Sequence, residues 1–508
     1  MLRRKIDLSL IVTPKNLYQR TFPPRFSDYE ITGPERGRIK MQNICRLEPY
    51  HLDNHPDEVF MDIIMGHSTP HTHVDVFMHD WYTMFEDIPR NLKWVQRDVS
   101  QLPTQEIIGE ASIVDISDVA VGAPVTLEFF KSRAQHVQIG DMVFVKTGHA
   151  QKYEEAKKVG KTHIDLSVVT PEIITWLAEE KKMRVYGHDA VVNGNFKYWM
   201  KSEQVCYRQG VLMIDRLAHL DRVEGGIRVF ANVGISLKMV DVDDSPARVT
   251  VLLGLDDLAN QKAVDLYDPV LISPADLGDG PPFERTEPFE LKGEIMKRLR
   301  IKNFHVPMAE YDMEEDGWVG FKAFSNQVGT HIVVPNYPVA GKEIPADSKW
   351  NLAAVDSNKL FGSTCVINAW AVGPQQNVTV QTLEKYGKHI QEGDIVIVRT
   401  GFTDDYYRRE DFLKYTPGFT KGAIQWLIDK GIKMLITDAA SVEAAPYGSH
   451  PIAKENNYLL FSKGIPVVLC ATDMWRLQHP RSLAFVSPIA LSGLNASPCR
   501  VLVVEEYR

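Results

Sequence analysis

Four of the chain's 16 histidines and one aspartate fall within residues 66–79, which read GHSTPHTHVDVFMH. In an extended segment side chains alternate between faces, so His67, His71, His73, Asp75 and His79, all at odd positions, are expected on one side. Imidazole nitrogens and a carboxylate converging from one face suit a divalent cation such as zinc or manganese. The competing reading is a polar, solvated loop whose histidines only hydrogen-bond. Phe77, Trp81 and Tyr82 flank the cluster, where they could stack on a substrate ring or simply pack in a core.

Other chemistries lack an anchor. The sequence contains no G-x-S-x-G, no G-x-G-x-x-G and no G-x-x-x-x-G-K-[ST] pattern, so serine-nucleophile, dinucleotide and P-loop chemistry find no support. The five cysteines lie far apart without a C-x-x-C pair, which argues against a zinc ribbon or a disulfide framework. Lys plus Arg number 57 against 66 Asp plus Glu, a net charge of -9 that has the wrong sign for neutralising phosphates. Nucleic acid is not an expected partner, and a small-molecule substrate is. No apolar run approaches the roughly 18 residues of a membrane span. The opening MLRRKIDLSLIV is broken by Asp7 and reads as a buried first strand, so the expected location is the cytoplasm, with no membrane partner.

The elements that must position the cluster come from an internal repeat. Residues 140–148, GDMVFVKTG, match residues 393–401, GDIVIVRTG, each a turn feeding a buried strand. Thr170-Pro171 and Thr416-Pro417 are each expected to open a helix, containing Trp176-Leu177 and Trp426-Leu427. The strand after each helix ends at Asp189 or Asp438. Ser245-Pro246-Ala247-Arg248-Val249 then matches Ser497-Pro498-Cys499-Arg500-Val501. The matches lie about 250 residues apart, the size of a domain. The chain is therefore expected to hold two tandem α/β units, 1–267 and 291–508, joined by an acidic, Pro-rich linker at 268–290.

Residues 327–337 of the second unit read QVGTHIVVPNY. With the Thr-His-x-Asp and final His of the first unit, this resembles the cyclase family of metal-dependent hydrolases, which includes kynurenine formamidase and isatin hydrolase and carries the pattern H-x-G-T-H-x-D-x-P-x-H. The strand, helix and terminal-strand motifs also resemble the family's, so the likeness spans most of both units. It implies swivelling β/β/α domains with a mixed sheet core, two of which form a pseudo-dimer in one chain.

The resemblance also implies roles. His73 and Asp75 fall on metal ligands and His79 on the acid/base histidine. Thr69 stands where the first ligand should be, His71 replaces the glycine and Phe77 the proline, so the missing nitrogen is left to His71 or His67. The family's later His and Glu fall on Glu203 and Asp215, which are otherwise surface charges. Oxygen ligands there favour manganese over zinc. In the second unit Gln327, Val333, Tyr337 and Leu469 replace ligating or acid/base positions and only His331 survives, with His450 a residual candidate. That unit reads as a degenerate partner. Asp189 could orient a ligand, and His188 and His149, at strand ends, are further candidates.

The expected function is therefore hydrolysis of a small amide, lactone or aryl formamide with metal-activated water, His79 carrying the proton. The alternatives are a lyase or isomerase using the same metal, or a binding protein that has lost the site. Pairing of two chains into a homodimer is also expected.

Overall fold

The structure is a computed structural model that describes residues 2–7, 38–39, 44–46, 50–52, 55–61, 63–67, 72–75, 99, 102–120, 122–159, 168–190, 196–236, 244–261, 263–265, 289–290, 305–307, 320–325, 329–336, 338–339, 342–406, 412–445, 455–490 and 495–507. Of the expected linker at 268–290, only Phe289 and Glu290 lie among them, as a short strand beside Arg38 and Ile39.

Apolar runs rich in Val and Ile form the middle of the first sheet. Strand β1 spans Leu2–Asp7, β2 His73–Asp75, β3 Ile108–Asp115, β4 Met142–Lys146, β5 Val185–His188, β6 Leu212–Asp215, β7 Arg228–Asn232, β8 Asp244–Pro246, β9 Thr250–Leu252 and β10 Ala263–Asp265. All but β1 form one nine-stranded sheet, ordered β8-β2-β6-β5-β4-β3-β7-β9-β10. Its centre, β3 to β6, is parallel, and every flanking pair is antiparallel. Burial on both faces explains why β4 is apolar in four consecutive residues.

The second unit repeats this plan with β11 His331–Val333, β12 Phe361–Asn368, β13 Ile395–Arg399, β14 Met434–Thr437, β15 Val467–Leu469, β16 Arg481–Pro488 and β17 Ala496–Tyr507. Here β17 is continuous. Its start pairs with β11 and its later part with β16, so the sheet closes on itself. In the first unit the same stretch is split into β8 and β9, which lie towards opposite edges.

Helices cover the outer face of each sheet: α1 Pro171–Glu179 and α2 Phe196–Gln209 on the first, α3 Lys421–Asp429 and α4 Glu455–Phe461 on the second. The inner faces share one core. It mixes Ile113, Phe144 and Ile214 with Ile397, Ile436 and Val468, and Phe485 stacks on both Phe230 and Phe361, at ring-centroid distances of 6.1 and 5.6 Å. The layers therefore run helix, sheet, sheet, helix. This is a mixed α/β fold in which one plan occurs twice. No helix among the described residues is long and apolar enough to cross a membrane.

Two buried arginines tie the units together. Arg248 donates to the carbonyls of Leu352 and Val355 at 2.8 and 3.0 Å, and Arg500, its counterpart in the repeated Ser-Pro-x-Arg-Val, donates to those of Val99 and Leu102 at 3.4 and 3.3 Å. The strand pairing also crosses at one place: β1 of the first unit joins the second sheet, Asp7 opposite Leu502. The matching place in the first sheet is taken by β10 of the same unit, Asp265 opposite Thr250.

One helix start departs from the sequence expectation. Thr170 and Pro171 do open α1, but Thr416 and Pro417 do not open α3. Gly418 and Phe419 first pair with Asn377 and Val378 as a short parallel strand. The helix then begins after Thr420, whose hydroxyl accepts the Ala423 N–H at 3.2 Å.

Candidate metal centre

β2 and β6 build the site between them. In their antiparallel register His73 faces Asp215 and Asp75 faces Met213. These four side chains share the helix-covered face, since the alternate residues Val74 and Ile214 enter the core between the sheets. The start of β2 is pinned from both sides: Thr72 donates its hydroxyl to the Arg216 carbonyl at 2.6 Å, and Ala247 N–H donates to the Thr72 carbonyl at 3.0 Å. Ligand atoms of His73, Asp75 and Asp215 lie within 4.8 Å of one another, and all three residues are buried. His73 Nε2 is 3.6 Å from Asp75 Oδ1.

Behind Asp215 stands His188, at the end of β5, with Nε2 2.9 Å from Asp215 Oδ1. Burial pushes the Asp215 carboxyl up, but His188, His73 and Arg216 outweigh it and hold the group below the usual carboxylate range. Asp215 is therefore ionised at neutral pH.

Glu203 is buried on α2. The end of that helix is fixed by glycine: Gly210 takes φ +72°, and Val211 N–H reaches back to the Cys206 carbonyl at 2.9 Å. Burial raises the Tyr207 hydroxyl far above its ordinary value, and Glu203, Asp75 and Asp215 raise it further, so all three acids act on one neighbourhood. Buried carboxylates are costly unless a cation compensates them. One imidazole and two converging carboxylates are a donor set that fits a divalent metal ion.

The strand residues described in the run 66–79 belong to two different strands. His67 ends a separate strand, Ile63–His67, which pairs with Gly320–Ser325 of the second unit in a different sheet, Phe321 opposite His67. β2 starts only at His73, beyond Pro70, a residue with no N–H to give a ladder. Among the described residues of this run, the period of two joins His73 and Asp75, and His67 belongs to another strand. His71, Phe77, His79 and Trp81 lie outside the described residues, as does His450.

Asp189 does not point to a ligand. Its carboxylate accepts Thr147 N–H and hydroxyl at 2.9 and 2.6 Å and Gly148 N–H at 2.9 Å, holding the Thr-Gly turn. Asp438 does the same for Thr400 and Gly401 in the second unit. His149 begins the helix His149–Lys158. Tyr207 and Arg216, which bear on the same acids, carry no motif that sequence reasoning could find.

In the second unit the same backbone carries different side chains. His331 faces Leu469, and Val333 faces Val467. Val333 and Leu469 join the helix-side apolar core there. His331 stays, bonded through Nδ1 to the Gly329 carbonyl at 2.9 Å, and burial depresses its pKa to about 4.

The Cyclase family model, described as "Putative cyclase", matches residues 6–193 and again 284–444, more than half of the chain. The chain belongs to this family. Each match falls largely in one of the two units. No curated protein matches. Among solved structures, isatin hydrolase A from Labrenzia aggregata, bound to benzyl benzoate, is 22% identical over 39% of this chain and 82% of its own, with a TM-score of 0.34. Isatin hydrolase A from Ralstonia solanacearum is 20% identical over 40% and 81%, with a TM-score of 0.35. A protein from Bacillus stearothermophilus described as a "predicted metal-dependent hydrolase" is 22% identical over 40% and 86%, with a TM-score of 0.30.

Proposed function

We propose that this cyclase-family chain is a metal-dependent hydrolase of a small amide, lactone or aryl formamide, working from its first unit. The observation that carries the reading is the buried convergence of His73, Asp75 and Asp215, at positions where the second unit of the same chain has His331, Val333 and Leu469. The fold tolerates apolar residues at two of the three places, so the carboxylates are not there to hold it together.

His73, Asp75 and Asp215 would hold the cation, with Glu203 close by as a further oxygen donor. A bound manganese or zinc ion supplies Lewis-acid chemistry, polarising a carbonyl and acidifying water. Around it the chain does the rest. β2 and the end of β6 fix the ligands on a rigid sheet, and α2 shuts water out from behind. His79 is the proposed proton carrier, its imidazole taking a proton near neutral pH and returning it to the leaving group. Phe77 and Trp81 are the proposed aromatic walls for the substrate.

The second unit serves as a catalytically silent partner. The mutual arginine bonds and the crossing of β1 into the second sheet support a pseudo-dimer of two swivelling β/β/α units, 1–267 and 291–508, fused through 268–290.

Elemental analysis of the purified chain for manganese and zinc, beside a His73→Ala plus Asp75→Ala variant, tests the metal. About one ion per chain, lost in the variant, is expected; no ion in either after incubation with excess metal overturns the reading. Mass spectrometry of products from lactones, cyclic amides and aryl formamides tests the reaction. A product that gains the mass of water supports hydrolysis, and a product of unchanged mass identifies an isomerase instead.

A further inference from the structure

We propose that His188 is a positioning residue, which holds the Asp215 carboxylate in the orientation that presents it to a divalent cation. The inference rests on the metal-centre reading and adds to it a residue that no ligand pattern contains.

Geometry makes the first argument. His188 Nε2 and Asp215 Oδ1 are 2.9 Å apart, with side chains 2% and 7% exposed. The backbone around them is fixed. β5 and β6 are paired in parallel up to Gly187 and Ile214, Leu217 N–H donates to the His188 carbonyl at 2.8 Å, and Arg216 N–H to the Ala190 carbonyl at 3.0 Å. An imidazole in ion-pair contact with one carboxylate oxygen restricts the rotation of the group and leaves lone pairs for a cation.

The environment makes the second. Among the described residues, neither ring nitrogen of His188 has an aligned hydrogen-bond partner, nor has Asp215 Oδ1, and the ring sits 5.5 Å from that of Tyr186, whose hydroxyl is likewise unpartnered. A buried ring with a bare nitrogen costs stability. Such a residue is hard to explain as part of the scaffold. His188 also stands outside the group of His73, Asp75 and Asp215 whose ligand atoms lie within 4.8 Å of one another, and meets that group through Asp215.

The second unit makes the third. Thr437 ends β14 where His188 ends β5, and Leu469 ends β15 where Asp215 ends β6. The histidine and the carboxylate are missing together. The neighbouring aspartate, Asp189 or Asp438, is kept in both, and in both it binds its Thr-Gly turn. What the turn needs has persisted, and what only the site needs has gone.

The test uses the full-length chain and Mn2+ alone. Calorimetric titration of wild type, His188→Thr and His188→Gln gives affinities, and Co2+ absorption spectra report the ligands themselves. Threonine is the residue this fold already accepts at that place, and glutamine keeps an N–H donor. His188→Thr is expected to bind Mn2+ about 10–100-fold more weakly, with His188→Gln recovering most of the loss. The Co2+ spectrum of His188→Gln should match that of wild type. Equal affinity of His188→Thr and wild type overturns the inference and leaves the metal centre standing. A changed Co2+ spectrum in His188→Gln also overturns it, by making His188 a ligand. A wild-type chain that takes up no metal overturns the metal centre itself, and this inference with it.

Discussion

Asp215 and Leu469 occupy the same place in two copies of one sheet: each closes a parallel strand, and each faces a histidine across an antiparallel pair, His73 in one case and His331 in the other. The contrast between them separates chemistry from architecture. A leucine at this position packs with the helix-side core, whereas the aspartate must be buried as an anion beside another carboxylate.

Asp215→Leu plus His188→Thr, which copies the pair of the second unit into the first, should therefore abolish Mn2+ uptake without unfolding the chain. Replacing both members of a buried pair is close to neutral for stability, or favourable by about 1–4 kcal/mol, and Asp75 stays to compensate Arg216. Circular dichroism melting of the metal-free proteins checks this. A variant that melts far below wild type would show that the pair supports the fold.

Added metal should stabilise the wild-type chain by mass action. At about one hundred times its dissociation constant, Mn2+ is expected to contribute about 2.7 kcal/mol. Thermal unfolding before and after chelation measures the shift, and the His73→Ala plus Asp75→Ala variant should show none.

The two inter-unit arginines should differ in weight. Arg248 makes the shorter bonds, 2.8 and 3.0 Å against 3.4 and 3.3 Å for Arg500. Arg248→Ala leaves two buried carbonyls and a large void, and is expected to cost about 3–5 kcal/mol; Arg500→Ala is expected to cost less, about 2–3 kcal/mol. Urea denaturation of the two variants checks the order.

His331 should give the second unit an acid sensitivity. Its folded pKa is about 4 against an ordinary 6.5, so between those values the unfolded chain binds the extra proton. Stability from this group is complete above pH 6.5 and is lost as pH falls towards 4, by about 3 kcal/mol in all. Asp438 works in the opposite sense. Burial raises its carboxyl to about 6 from 3.8, so its contribution is largest at low pH and fades as pH rises through that window. The two partly cancel in wild type. Subtracting the stability profile of His331→Leu, measured by urea denaturation from pH 7 to pH 4, isolates the histidine, and a flat difference would exclude this assignment.

The repeat was legible because its motifs are local. A turn followed by a buried β-branched run reads the same at Gly140 and Gly393, and β4 and β13 form there. His73 and Asp75 were legible for the same reason, since a period of two holds inside any strand. The rest depends on partners distant in the chain. Nothing local says that His67 belongs to another sheet, because a histidine at the end of one strand looks like a histidine inside the next. In sequence His188 is one of several strand-end histidines, and only the parallel pairing of β5 with β6 brings it to Asp215. The start of α3 was misplaced by four residues because Thr416-Pro417 and Thr420 are both good caps in isolation, and only the pairing of Gly418 with Asn377 decides between them.

The pairing of β1 with β17 sets Leu2 opposite Tyr507. During synthesis the first strand leaves the ribosome long before its partner exists, and it must wait for nearly the whole chain to follow. Its edge stays open throughout that interval, a template for any passing strand. A ladder between segments about 500 residues apart closes one of the longest loops in this sequence and is expected to zip up late, and proteolysis of a half-made chain would find β1 still unprotected.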